Sequence, residues 1–299
     1  MITDKKTYHH NNSHVPVLLE EVVRILAPKS GESYLDLTAG YGGHASKILE
    51  ITGDATNIVL VDRDENAITA LAGFLDNGVR IVHQDFANAA TILAQENAKF
   101  DMILIDLGVS SPHLDNAERG FSFQTEAPLD MRMDNRQVLT AEKIVNTYSE
   151  EGIAKILKEY GEEPKAKKIA HTIRMQRPFS NTLELADVVE EVYGHRGKIH
   201  PATRTFQALR IAVNEELLQL QTVLPLLPDL LNPGGRVIII SFHSLEDRLV
   251  KQYFAAEQSA GYEARMKVLT KKPISGATHD VLNRRARSAK LRAAIKINT

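Results

Sequence analysis

The residues best equipped for chemistry lie in one short run, Asp36-Leu37-Thr38-Ala39-Gly40-Tyr41-Gly42-Gly43-His44. Glycines there let a ligand approach the backbone, and a helix starting behind them turns free N–H groups toward it. Gly40 to Ala45 also fits the dinucleotide pattern G-x-G-x-x-G/A, with Asp62 about where a ribose-binding acid falls. A nicotinamide-dependent oxidoreductase is therefore one alternative. Asp36 speaks against it, because a carboxylate at the head of the loop repels a pyrophosphate. It attracts a ligand with an ammonium and a sulfonium, as S-adenosylmethionine has. Asp62 suits the ribose hydroxyls of either ligand. Asp85-Phe86 offers an acceptor for an adenine amine and a ring to stack on it. The plainer alternatives for that pair are a helix-capping acid and a core phenylalanine.

These residues need a scaffold that brings strand ends together. Apolar runs over 33–36, 57–62, 79–82 and 100–106 alternate with stretches of helical period, the rhythm of βαβ units on a parallel sheet. Helices are predicted after the glycines, over 65–75 and over 88–97, and ligands bind such sheets at the carboxyl ends of their strands. The strand rhythm stops near Asp115. Helices over 141–146, from about Ser149 and over 182–192 then read as an insertion. A long helical stretch from Thr205 to Leu231, the stop signal Asn232-Pro233-Gly234-Gly235, a buried strand over 236–241, a helix over 245–256 and strands near 266–269 and 290–297 follow. The expected fold is α/β, a Rossmann-like seven-stranded sheet, with 1–114 and 204–299 forming one domain and 115–203 an inserted helical domain.

Composition narrows the classes. With 299 residues, 43% hydrophobic and 25% charged, the chain is long enough for two units with cores of their own. It contains no cysteine, which excludes disulfides, thiolate metal sites and cysteine nucleophiles. No metal-ligand spacing stands out, and His9-His10 with His14 reads as a polar N-terminal arm, so no metal is expected. The run Met1-Ile2-Thr3-Asp4-Lys5-Lys6 lacks the apolar core of a signal peptide and no run is of membrane-spanning length, so a cytoplasmic protein without membrane contact is expected. The formal charge of -2 gives no global sign of a polyanion partner. Local basic runs do, at Lys165 to Arg177 and at Asn283 to Arg292, which suit phosphates, the plainer alternative being solvated charged faces.

After the fourth strand comes Asp106-Leu107-Gly108-Val109-Ser110-Ser111-Pro112-His113, where amino-group methyltransferases carry a short polar motif ending in proline. Together with Glu118 to Phe123, Pro128 to Asp134, His200 to Ala208, Ser241 to Arg248 and the opening His14 to Val22, this stretch resembles the small-subunit ribosomal RNA methyltransferase H family over nearly the whole chain. The resemblance implies a class I S-adenosylmethionine-dependent methyltransferase fold with a helical insertion. It further implies N4-methylation of a cytidine in the decoding centre of 16S rRNA, near the P site, with 16S rRNA or the small ribosomal subunit as partner. Carried over by position, cofactor contacts fall on Gly42, Gly43, His44, Asp62, Phe86, Asp106 and His113, and the charge argument adds Asp36. His113 stands where relatives can have Gln, and Tyr41 where the family's loop can have Arg.

Asp106 and Ser110 are expected nearest the chemistry, since a carboxylate can accept hydrogens from a cytosine amine and stabilise the charge that develops on it. The plainer reading has Asp106 only holding the cofactor and the serines only forming a turn. Ser241, His243 and Arg204 are expected on the side of the target base, His243 by hydrogen bonding or shaping the pocket rather than as a base. The rival from another class is a noncatalytic RNA-binding assembly factor, which would not need the cofactor-type acids.

Overall fold

The structure, a computed structural model, describes residues 16–194 and 200–297. His9, His10, His14 and Val15 lie outside the described residues. In chain order the elements are α1 (Leu19–Leu26), β1 (Tyr34–Asp36), α2 (Gly43–Thr52), β2 (Ile58–Asp62), α3 (Glu65–Leu75), β3 (Arg80–His83), α4 (Phe86–Gln95) and β4 (Phe100–Asp106). Next come α5 (Ser111–Asp115), α6 (Ala141–Thr147), α7 (Glu150–Gly161), α8 (Ala166–Gln176), α9 (Thr182–Tyr193), α10 (Ala202–Asn214) and α11 (Glu216–Val223). The chain ends with α12 (Leu227–Leu230), β5 (Leu231–Ser241), α13 (Ser244–Ser259), β6 (Met266–Val268), β7 (Ile274–Ser275), α14 (Gly276–His279) and β8 (Lys290–Lys296). The chain divides into two compact units, residues 1–108 with 220–299 and residues 109–219.

The first unit is built on a mixed sheet ordered β3-β2-β1-β4-β5-β8-β6, with β7 pairing β8. Strands β1 to β5 run parallel, and β8 runs antiparallel to β5 and β6. The sheet therefore has eight strands rather than seven, because the two-residue β7, too short for a periodic signal, pairs with β8. Alternate residues face opposite sides. Leu35, Val59, Ile103, Ile105, Val237 and Ile239 pack with α4, α13 and residues 220–223, while Tyr34, Ile58, Leu60, Met102, Leu104, Ile238 and Ile240 pack with α1, α2 and α3. Burial on both faces explains why these strands read as unbroken apolar runs. Asn232 to Gly235 loop out of the ladder, since Phe100 pairs Leu231 but Met102 pairs Arg236. After β3 the connection reverses, and β4 joins on the other side of β1. In open sheets of this kind ligands bind at the switch point, here between β1 and β4, outside the strands' carboxyl ends.

The second unit is helical, with a core including Phe121, Met131, Ile144, Ile153, Leu157, Ile169, Ile173, Leu185, Val189, Phe206 and Leu209. It is wider than the 115–203 expected. Helix α10 packs on α7 inside this unit, and Gly161 permits the approach, since a Cβ there would lie 2.7 Å from the Arg204 carbonyl. The helical stretch expected over 205–231 is divided into α10, α11 and α12, with breaks where Glu215 takes a left-handed φ of 52° and where Pro225 and Pro228 open new turns. Helix α8 runs through the basic segment 166–176. Its regular burial of Ile169, Ala170 and Ile173 was hidden in the sequence by the surrounding charge.

Two of the motif stretches clamp this unit. Gly120 has a φ of 71°, and a Cβ on it would sit 2.2 Å from the Pro128 carbonyl. Met131, also left-handed at 62°, is held because its carbonyl accepts from the fully buried Asn214 amide (2.7 Å), whose Oδ1 accepts from the Met133 N–H (2.8 Å). Arg132 closes the turn with an ion pair to Asp130 at 2.7 Å.

Candidate active site

Three aspartates end three adjacent strands. Asp36 closes β1, Asp62 closes β2 and Asp106 closes β4. The strands are apolar in their middles because the sheet is buried, so acids fall at their ends, and these three stand where the strands emerge at their carboxyl ends. Asp36 is 1% exposed, and its carboxylate accepts from the Tyr34 hydroxyl (2.8 Å) and the Thr38 N–H (3.2 Å). Burial pushes this carboxyl up to about 7; the two hydrogen bonds pull it down, and the charge of Asp62 adds to the rise. Asp62 accepts from the Gly40 N–H (2.7 Å) on one oxygen and from the Asp64 N–H (2.8 Å) on the other, which fixes the glycine loop to β2.

Asp106 is anchored through its backbone, whose N–H donates to Thr38 Oγ1 at 2.6 Å. Its Oδ1 is buried without a hydrogen-bond partner among the described residues. Burial, then the charges of Asp36 and Glu246, hold this carboxyl well above the usual carboxylate range. A strand-end cluster so rich in carboxyl groups is costly to ionise in the protein alone. It is suited to a ligand that brings positive charge.

The glycine loop has a second reason for its composition. A Cβ on Gly42 would meet the Phe74 ring at 2.6 Å and one on Gly43 would meet Pro16 at 2.5 Å, so both residues are small because α3 and the segment before α1 press on them. Gly42, at φ 79°, is also the residue from which α2 starts. His44 is 7% exposed, and its Nε2 lies 3.0 Å from the Val17 carbonyl. A carbonyl only accepts, so this nitrogen carries the proton. Phe86 opens α4 and is partly buried against the sheet core. Asp85 accepts from the Ala87 and Asn88 N–H groups at 3.1 and 2.9 Å, so the capping role holds and its side chain is committed to α4 rather than to an adenine amine.

The remaining expected residues divide between the units. Ser241 is 2% exposed and its hydroxyl donates to the Lys290 carbonyl at 3.3 Å. This bond ties the side chain to the strand paired with β5. His243 caps α13, its Nδ1 accepting from the Glu246 N–H at 3.4 Å, while Glu246 accepts from the Phe242 and His243 N–H groups at 2.8 and 3.2 Å. Ser110 and His113 lie in the helical unit. There the Ser110 N–H donates to His113 Nδ1 at 3.1 Å across the start of α5, and the buried His113 ring packs tilted against Phe121, with centroids 5.1 Å apart. Arg204 is exposed on α10, and its guanidinium donates to the Glu162 carbonyl at 3.2 Å, satisfying the end of α7.

Four residues that matter to the acids escaped sequence reading. Tyr34, Thr38 and Glu246 support or charge them, and Phe242 lies 3.4 Å from where a Gly108 Cβ would be. The pattern His243-x-x-Glu246 was a readable signal, being a capping box with histidine in place of the usual serine or threonine.

Comparison with known proteins follows the same lines. The MraW methylase family pattern matches residues 11–297. The chain is 49% identical to the ribosomal RNA small subunit methyltransferase H of Trichormus variabilis over 292 residues, covering 95% of this chain and 92% of that protein. It is 46% identical to the protein of the same name from Synechocystis over 306 residues, covering 98% and 96%. With the one from Heliobacterium mobile it shares 44% over 309 residues, covering 95% and 99%.

Proposed function

The chain belongs to the MraW methylase family, and we propose that it uses S-adenosylmethionine to methylate the N4 amine of a cytidine in the decoding centre of 16S rRNA. The observation that carries the reading is the acid cluster at the switch point. Asp36 and Asp106, both raised by burial and by like charge, fit a cationic donor and not a pyrophosphate, which disfavours the nicotinamide alternative. Asp62 is assigned to the ribose hydroxyls, and Gly42, Gly43, His44 and Phe86 to the floor and walls. His113 is assigned to the same cofactor. The cofactor supplies an activated methyl on a sulfonium.

The protein's share is orientation and proton handling. A cytosine amine is weakly nucleophilic because its lone pair is delocalised into the ring, so Asp106 must align it. As positive charge grows on N4, the Asp106 carboxylate stabilises it and then takes the proton. A buried carboxylate held well above its usual range is a better acceptor than a solvated one. Ser110 is assigned to the chemistry beside Asp106, and Ser241, His243 and Arg204 to binding of the RNA substrate. The helical unit, residues 109–219, is assigned to substrate recognition. Among the described residues no helix is long and apolar enough to cross a membrane, and a cytoplasmic site of action fits an enzyme of ribosomal RNA.

The reading is tested by nucleoside mass spectrometry of small-subunit rRNA from cells with and without this chain. N4-methylcytidine disappears without it and returns with the wild type. An unchanged methylcytidine content overturns the assignment.

The acids also make binding pH-dependent. A cation beside Asp36 favours its ionised form, so binding near pH 7 releases a proton from a carboxyl that sits at about 7 in the free chain. Affinity for S-adenosylmethionine therefore falls as pH drops below 7 and levels off above about 8. Calorimetry at pH 7 in buffers of different ionisation enthalpy should give different apparent heats. Equal heats would mean that Asp36 does not face the donor.

A further inference from the structure

The turn after α14 carries the least buried apolar pair of the first unit's described surface apart from Tyr262, with Val281 72% and Leu282 99% exposed. Such exposure in a floppy tail would mean little. Here the turn is fixed at both ends. Asp280 accepts from the Leu18 N–H (2.9 Å) and from the Asn283 amide (3.3 Å), and Asn283 in turn caps the following 3-10 turn by accepting from the Arg285 N–H (3.2 Å). Ala286 is fully buried against Gly276, where a Cβ would sit 1.9 Å from the Ala286 carbonyl. Two apolar side chains are thus held out in water on a rigid base.

Their flank is cationic. Arg284 and Arg287 are exposed, and neither side chain has a hydrogen bond or ion pair among the described residues. No aspartate or glutamate follows Asp280 in the sequence. A protein partner would match the apolar pair with an apolar rim, whereas the rim here is made of guanidinium groups. RNA offers both complements at once, phosphates for the arginines and base faces for the apolar tip.

Resting on the reading of this chain as an rRNA methyltransferase, we propose that the 281–287 turn is an RNA-strand wedge. Leu282 and Val281 press against bases while Arg284 and Arg287 hold the adjacent phosphates. An apolar wedge fills the space left when a nucleotide leaves its stack, a step that a base-modifying enzyme requires of its target.

The test uses the full chain with small ribosomal subunits from cells lacking it, and with a 16S transcript, over 50 to 200 mM salt on the order used to read phosphate contacts. Leu282→Ala and the double variant Val281→Ala/Leu282→Ala should weaken binding roughly tenfold at every salt concentration, without changing the salt slope. Arg284→Ala/Arg287→Ala should lower the slope of log Kd against log salt by roughly 1.4 to 1.8. S-adenosylhomocysteine affinity and melting temperature stay at wild-type values in all three. Apolar variants that bind RNA like wild type overturn the wedge and leave the methyltransferase reading standing. A change of oligomeric state by light scattering with RNA affinity intact overturns it too, assigning the tip to self-association. Wild-type protein that binds S-adenosylhomocysteine but neither RNA defeats both the wedge and the RNA substrate.

Discussion

Asp106→Ala is expected to slow single-turnover methyl transfer by roughly a hundred- to ten-thousandfold, the range for loss of a positioned proton acceptor, while S-adenosylhomocysteine affinity shifts less than tenfold. The reason lies in how the side chain is held. Its backbone N–H is fixed on Thr38, its Oδ1 is buried without a partner among the described residues, and its carboxyl is raised by burial and by Asp36 and Glu246. A carboxylate with an idle oxygen in such a place is primed to accept a proton. Asp106→Asn, which keeps the shape and removes the basic oxygen, should be nearly as slow. The opposite split, normal chemistry once cofactor is saturating with affinity lost, would assign Asp106 to the cofactor alone.

Asp36→Asn should trade stability against binding. A carboxyl near 7 in the folded chain and near 4 when unfolded binds a proton in the folded state over that window, so the folded state loses ground as pH rises from about 4 to about 7. Above pH 7 the accumulated cost reaches up to about 4 kcal/mol. The asparagine variant carries no such cost, so without ligand it should melt several degrees above the parent at pH 8, the gap narrowing below pH 7 and closing near pH 4. Its affinity for S-adenosylmethionine should fall roughly ten- to hundredfold, and that for S-adenosylhomocysteine by less, because only the former carries a positive sulfur. Differential scanning calorimetry and isothermal titration would check both halves. A variant that melts no higher, or that loses both ligands equally, shows that Asp36 is not poised against a cation.

Much of this arrangement was legible in the sequence. The strands ending at Asp36, Asp62 and Asp106, the helix over 65–75 and the capping of α7 by Ser149 follow from apolar runs and polar punctuation, signals that are local. What escaped depends on partners far along the chain. Ser241 looked available because it ends a strand, and only the antiparallel β8, 49 residues on, takes up its hydroxyl. Gly42 and Gly43 looked like ligand clearance, yet Phe74 and Pro16 already occupy the space their side chains would need. The capping of α13 by the His243 ring also needed the fold to show it, because histidine is not a usual capping residue.

By itself, then, the sequence determined the strands β1 to β5, the acids at their ends and the family, since each is written in residues close together or in motifs kept in order. The tertiary structure decided which of those residues remain free to act. Burial raises Asp36 and Asp106, and the hydrogen bonds that Asp36 accepts from Tyr34 and that the Asp106 N–H donates to Thr38 fix them, because packing sets local dielectric and distance, and no spacing of letters encodes either.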